Sequence, residues 1–164
     1  FKLKDPGSIL DKLCDMVIET FDSGDDEVKD GMDITLCSVN IKTRKIKYAG
    51  ANNPLWIVKH NTLEVEEVKA DKQPIGKFDY RKEFTSNEIA LEKGDCIYLF
   101  SDGYADQFGG PGGKKFKYKS LMTLLKQIHT KPMIDQHEIL NREFETWKGS
   151  LEQIDDVCVI GIRF

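Results

Sequence analysis

Apolar residues recur at Ile9, Leu10, Leu13, Val17 and Phe21, the three-to-four spacing that lines one face of a helix. Asp5 followed by Pro6 supplies a helix cap and a first-turn residue, so a helix is predicted from Asp5 to Phe21. The acidic stretch Asp22 to Asp30, with Gly24 inside it, has few apolar positions and is expected to be a solvated, mobile loop. From Met32 the period shortens. Ile34–Ile41 is rich in β-branched residues, and a polar turn at Lys42–Lys45 separates it from a hairpin partner, Ile46–Ala49. Leu55–Lys59 and Leu63–Lys69 predict a second hairpin around His60-Asn61. Tyr80–Phe84 with Ile89–Leu91 suggests an irregular third pair. Cys96-Ile97-Tyr98-Leu99-Phe100 is a continuous apolar run, suited to a central strand covered on both faces. Helical spacing returns at Tyr118, Leu121, Leu124, Leu125 and Ile128. Pro132 then opens a second helix carrying Met133, Ile134, Leu140, Phe144 and Trp147, with Gly149 placed to end it in a left-handed cap. Val157–Ile162 reads as the last strand. Helix, about seven strands, two helices and a strand predict an α+β fold of packed layers. The first helix has nothing before it to cover its apolar face, so the 164 residues are expected to be part of a larger unit.

Composition narrows the classes of function. The length of 164 residues fits one domain, and 40% hydrophobic with 10% aromatic residues excludes a disordered chain. A net charge of −4 offers no basic field for a phosphate backbone, which argues against nucleic-acid binding. No apolar run approaches the ~20 residues that span a bilayer, and Phe1–Asp5 has no secretory character. Cys14, Cys37, Cys96 and Cys158 form no Cys-x-x-Cys pair, and the last three lie in strand-like runs. Buried, reduced thiols and a cytoplasmic location are the expectation.

Three acidic positions carry the candidate chemistry. Asp102 follows the central strand in Ser101-Asp102-Gly103, where the glycine lets the backbone turn and the carboxylate project from the sheet end. Asp155 and Asp156 directly precede the final strand. Such carboxylates converge if their strands are neighbours, and aspartate oxygens suit Mg²⁺ or Mn²⁺ rather than zinc. Strand-end aspartates also serve turns, and the residues alone leave both readings open. His60, His129 and His137 form no zinc pattern. Gly109-Gly110-Pro111-Gly112-Gly113-Lys114-Lys115 departs from the nucleotide P-loop at Phe108 and Lys115. A flap beside Asp102 is expected there, with Lys114 or Lys115 attracting a phosphorylated group.

The wording of these blocks is more specific than their spacing. Ser101-Asp102-Gly103-Tyr104-Ala105-Asp106-Gln107 and Asp155-Asp156-Val157-Cys158-Val159-Ile160 resemble the stage II sporulation protein E family. That family comprises metal-dependent protein serine/threonine phosphatases related to the type 2C enzymes. Asp30-Gly31-Met32-Asp33, Ala49-Gly50-Ala51-Asn52-Asn53-Pro54-Leu55, Gln73-Pro74-Ile75-Gly76 and Glu92-Lys93-Gly94-Asp95 match as well, in order, over essentially the whole chain. The resemblance implies a four-layer α-β-β-α sandwich, N-terminally incomplete, with residues 1–164 forming the C-terminal portion of one phosphatase domain. It implies two Mn²⁺ or Mg²⁺ ions held by aspartates and waters, Asp102 and Asp155 being ligands and Asp156 a neighbouring group. It implies a bacterial signalling protein, anchored upstream by a sensor or membrane region, acting on a phosphorylated anti-sigma-factor antagonist. The family's first metal block, an aspartate followed shortly by Gly-His-Gly, is absent from these residues, and Ala51 stands where a histidine is frequent. The chain alone is therefore expected to be inactive. A non-catalytic interaction module, dimerising through an open sheet edge, is the alternative.

Overall fold

The structure, a computed structural model, describes residues 4–22 and 31–164. These form two compact units, one of the described residues up to 55 with 68–91 and one of residues 56–67 with 92–164. The acidic loop expected before Met32 falls at 23–30, outside the described residues, as does Asp30 of the block that precedes the first strand.

In the first unit, helix α1 (Pro6–Asp22) begins as the Asp5-Pro6 pair predicts. The Asp5 carboxylate accepts the Ser8 N–H at 3.2 Å and the Ser86 hydroxyl at 2.6 Å. The Ser86 and Ser8 bonds hold its carboxyl below the usual range. Strands β1 (Ile34–Asn40), β2 (Lys45–Ala51) and β5 (Asn87–Ala90) make an antiparallel sheet in the order β1-β2-β5. Leu10 and Cys14 of α1 pack with Ala49, Ala51, Ile75 and Phe84, and Leu13 and Val17 flank them. Burying a leucine of this kind contributes about 2 kcal/mol.

The pairing expected for Tyr80–Phe84 is not formed, because β5 pairs with β2 instead. Several polar groups in and just after that segment are satisfied by side chains rather than by a ladder. The Phe84 N–H donates to Asp11 Oδ1 at 3.0 Å and the Thr85 N–H to Asp71 Oδ2 at 2.7 Å. Gln73 bonds both the N–H and the carbonyl of Lys82. The Arg81 guanidinium meets Asp15 at 2.7 Å.

The second unit is built on a sheet in the order β4-β3-β6-β9. Its strands are β3 (Leu55–Val58), β4 (Val65–Val68), β6 (Cys96–Phe100) and β9 (Val159–Arg163). As the continuous apolar run predicts, β6 is central, and Ile97 is as fully buried as Tyr98 on its opposite face. Between β6 and β9 the chain forms a one-turn helix α2 (Gly103–Asp106) and a short hairpin, β7 (Phe108–Gly109) with β8 (Lys114–Lys115). Helices α3 (Tyr118–Ile128) and α4 (Met133–Lys148) follow. Gly149 ends α4 at φ 57°, its N–H donating to the Glu145 carbonyl. Trp56, Tyr98 and Phe100 meet Leu121, Leu125 and Phe144 in one core. At the α3–α4 corner, Tyr98 donates to Gln136 at 2.7 Å, and Gln136 donates to the carbonyls of His129 and Lys131. The Arg163 guanidinium donates to the same two carbonyls, so the polar groups of this corner are shared between Gln136 and Arg163.

All four cysteines are free, but only Cys14 and Cys96 are buried. Burial pushes the half-buried Cys37 thiol up to about 11. Cys158 is exposed, against the expectation of a core thiol, because the final strand starts two residues later than its apolar run suggests. The Cys158 N–H is taken by the Ser101 hydroxyl at 2.9 Å. No helix among the described residues is long and apolar enough to cross a membrane.

Candidate metal centre

The site is assembled where β6 ends and β9 begins. Antiparallel pairing sets Phe100 opposite Val159, and the ladder continues one step further through the Ser101 N–H to the Cys158 carbonyl at 3.0 Å. The two strand ends that carry Asp102 and Asp155-Asp156 are thus direct neighbours, the condition under which their carboxylates can act together.

Asp102 caps α2 through its backbone, its carbonyl accepting the Asp106 N–H at 2.9 Å, while its carboxylate makes no cap bond and is exposed. A cap aspartate normally spends its carboxylate on the helix N–H groups. Here it remains available to a ligand. Asp155 and Asp156 are exposed too, and Asp155 Oδ1 accepts the Asp156 N–H at 2.7 Å.

Gly103 explains why the turn needs a glycine. A Cβ there would lie 2.4 Å from the Asp156 carbonyl oxygen, so no other residue lets the two segments approach this closely. Gln107, fully buried, ties the same turn to the residues before Asp155. Its Nε2 donates to the Glu152 carbonyl at 2.9 Å and its Oε1 accepts the Ile154 N–H at 3.4 Å. Tyr104 anchors α2 from below by donating to the Leu140 carbonyl at 2.8 Å, and burial pushes its phenol up.

The glycine-rich stretch is the β7–β8 hairpin, closed over Trp147. The Gly110 N–H donates to the Trp147 carbonyl at 2.8 Å, and Trp147 Nε1 donates to the Gln107 carbonyl at 3.0 Å. The two lysines singled out for phosphate attraction are both exposed, and Lys115 is paired with Asp106 at 2.8 Å. His60 and His137 are exposed. His129 is buried at the end of α3.

Among the described residues no cluster of three or more His, Cys, Asp or Glu side chains gathers. The donor set at the strand ends is carboxylate oxygen alone. It suits a hard cation of the Mg²⁺ type, which is commonly held by one or two carboxylates and otherwise keeps its water. Asp102 and Asp155 would hold such an ion, with Asp156 beside them.

Sequence reasoning overlooked Ser101 and Gln107. Serine and glutamine beside an Asp-Gly turn are ordinary polar residues, and only the long-range bonds they make reveal their part.

The same architecture occurs in known proteins. The family model for stage II sporulation protein E matches residues 2–164. The PP2C domain of SiaA from Pseudomonas aeruginosa is 26% identical and superposes with a TM-score of 0.85 over 98% of this chain. This chain spans 61% of that one. The phosphatase domain of SpoIIE from Bacillus subtilis, solved after a manganese presoak, shares 18% identity and a TM-score of 0.62, with 99% of this chain and 73% of that chain covered. The RsbU and RsbW domains of Rv1364c from Mycobacterium tuberculosis give 16% identity and a TM-score of 0.65, with 95% of this chain and 46% of that chain covered. No curated protein sequence matches. The antiparallel sheets and helices described above are those of the PP2C-type phosphatase fold. The chain belongs to the stage II sporulation protein E family.

Proposed function

We propose that the chain is the C-terminal portion of a metal-dependent phosphoserine/phosphothreonine phosphatase domain of a bacterial signalling protein. Its substrate would be a phosphorylated regulator of the anti-sigma-factor-antagonist type. The observation that supports this most is the seating of the Ser101–Gly103 turn on residues 156–158, which puts the exposed carboxylate-bearing residues Asp102 and Asp155 at adjoining strand ends. When bound there, Mn²⁺ or Mg²⁺ neutralises charge on phosphoryl oxygens and makes water acidic enough to attack at neutral pH. Asp102 and Asp155 supply the negative charge that holds the cation, and α2 with the Ser101 and Gln107 bonds to residues 152–158 fixes where that charge stands. Lys114, exposed at the hairpin, draws the phosphorylated partner in, while the Lys115–Asp106 pair stiffens the hairpin base.

Because these 164 residues hold no aspartate followed by Gly-His-Gly, the chain alone is inactive. The test is Mn²⁺-dependent release of phosphate from a phosphoserine protein. The chain by itself should give none. Joined to an upstream segment carrying that acidic block, it should turn over, and Asp102→Ala should cut the rate at least ~100-fold. Manganese-dependent turnover by the chain alone overturns the inactivity. Full activity of the extended Asp102→Ala protein overturns the catalytic reading.

A second reading, an interaction module that pairs with another copy, is favoured by β9. The Ser101–Cys158 and Asp95–Phe164 backbone bonds turn even-numbered residues toward β6. The N–H and C=O groups of Val159, Gly161 and Arg163 therefore point to the outer edge, where no further strand pairs among the described residues. An antiparallel pair of β9 strands about Gly161 sets these groups against each other, and an open edge of this kind is a template for association. Light scattering at several hundred micromolar should report a dimer. A monomeric mass there contradicts this reading.

A further inference from the structure

Ser101 is bonded to the second acidic segment through three separate atoms. Its N–H donates to the Cys158 carbonyl at 3.0 Å, its hydroxyl oxygen accepts the Cys158 N–H at 2.9 Å, and its hydroxyl hydrogen goes to the Asp156 carbonyl at 2.8 Å. The first bond is an ordinary ladder bond that any residue would make. The other two need a hydroxyl, and they act where the regular ladder has stopped, between Phe100–Val159 and the aspartates. One side chain thereby replaces a missing rung and grips the peptide that joins Asp156 to Val157. On the far side of Asp155, Gln107 holds Glu152 and Ile154. Asp155 is thus bracketed from both directions by side chains that flank Asp102 in sequence.

We propose that Ser101 is a positioning residue for the metal-binding pair, its hydroxyl setting where Asp155 stands relative to Asp102. The inference rests on the reading of Asp102 and Asp155 as metal ligands. A ligand pair on exposed backbone is only as well placed as its supports. Residues 151–156 carry no regular secondary structure and are exposed, and apart from the Ser101 and Gln107 bonds Asp155 is held by local contacts, Gln153 Nε2 donating to its carbonyl at 2.7 Å. Bonds from outer partners of this kind commonly change metal affinity by about 10–100-fold. Gly103 contributes by absence, since its missing side chain leaves room for the Asp156 carbonyl that Ser101 holds. Threonine keeps the hydroxyl and is the conservative replacement. Alanine removes it.

The experiment measures Mn²⁺ affinity of the full chain by the electron paramagnetic resonance signal of free Mn²⁺. Wild type, Ser101→Ala, Ser101→Thr and Asp102→Asn are compared, with hydrogen exchange of the Cys158 amide recorded in parallel. Ser101→Ala should weaken Mn²⁺ binding about 10-fold and speed exchange at Cys158, and Ser101→Thr should restore both. If Ser101→Ala binds Mn²⁺ like wild type while Asp102→Asn loses it, the metal pair stands and the positioning role falls. If Ser101→Thr exchanges like wild type but binds Mn²⁺ no better than alanine, the hydroxyl is structural only and the inference is overturned. If wild type shows no Mn²⁺ affinity, or Asp102→Asn leaves it unchanged, the metal reading itself falls and takes the inference with it.

Discussion

Replacing Asp95 with alanine is expected to lower the stability of the chain by about 3 kcal/mol, the range for breaking a buried charged network. Asp95 is 1% exposed, and its carboxylate accepts the His60 N–H at 3.0 Å, the Glu92 N–H at 3.0 Å and the Lys59 ammonium at 3.3 Å. Those bonds pin the β3–β4 turn to the start of β6, so losing them unfastens two strands of one sheet at once. Removing the acceptor also leaves two amides facing a site from which water is largely excluded. The Lys59 side chain stays partly in water, which keeps the figure at the lower end for such pairs. Burial by itself pushes the Asp95 carboxyl up, but the Glu92 and His60 amides and Lys59 outweigh it and hold the carboxyl below its usual value. A depressed carboxyl stabilises the fold above the unfolded value of roughly 3.9, and that contribution drains away as the pH falls through the folded value. Denaturant midpoints of wild type and Asp95→Asn should therefore differ at pH 7 and draw together below about pH 4. A gap that stays constant with pH would show that the ionised carboxylate contributes nothing.

Asp102→Ala and Asp155→Ala, by contrast, should leave stability within about 0.5 kcal/mol of wild type while removing the cation. Both side chains are exposed, and Asp102 makes no cap bond for alanine to lose. On the proposed reading each would supply half of the carboxylate charge for a Mg²⁺-type ion, so either loss should weaken Mn²⁺ binding on the order of 100-fold. Calorimetric titration with Mn²⁺ alongside thermal melting separates the two effects. A variant that melts like wild type yet no longer takes Mn²⁺ is the expected outcome. Equal Mn²⁺ affinity in wild type and both variants would remove these residues from the site. Asp156→Ala should have the smaller effect, since the structure engages Asp156 mainly through its carbonyl.

What was legible in the sequence was local. Asp5-Pro6 marks the start of α1, Gly149 the end of α4, and five consecutive apolar residues mark β6 as a central strand. Each is a signal carried by neighbouring residues and by backbone preference. Pairing over distance was not legible. Nothing in Tyr80–Phe84 announces that Asp11 and Gln73 will take its backbone groups and Asp15 its Arg81, so the aromatic ends of the segment misled. Cys158 sits in an apolar run, yet its N–H is claimed by Ser101, and the regular strand begins only at Val159. At the candidate site, Asp102 and Asp155-Asp156 stood out as acidic residues at strand ends. Their adjacency depends on β6 pairing with β9 some sixty residues away, as the register Phe100 to Val159 shows. The turn glycine Gly103 was legible, but the long-range bonds of Ser101 and Gln107 were not, because a serine and a glutamine acquire meaning only from what they reach.

Crystals of the chain soaked in Mn²⁺ and measured at the manganese absorption edge test directly whether Asp102 and Asp155 share one hard cation. An anomalous peak within about 2.2 Å of one oxygen each from Asp102 and Asp155 is the predicted result, close to the ~2.1 Å of Mg²⁺–oxygen contacts. Carboxyl groups standing ~15 Å apart, with any manganese bound elsewhere, would contradict it, since no single coordination shell spans that distance.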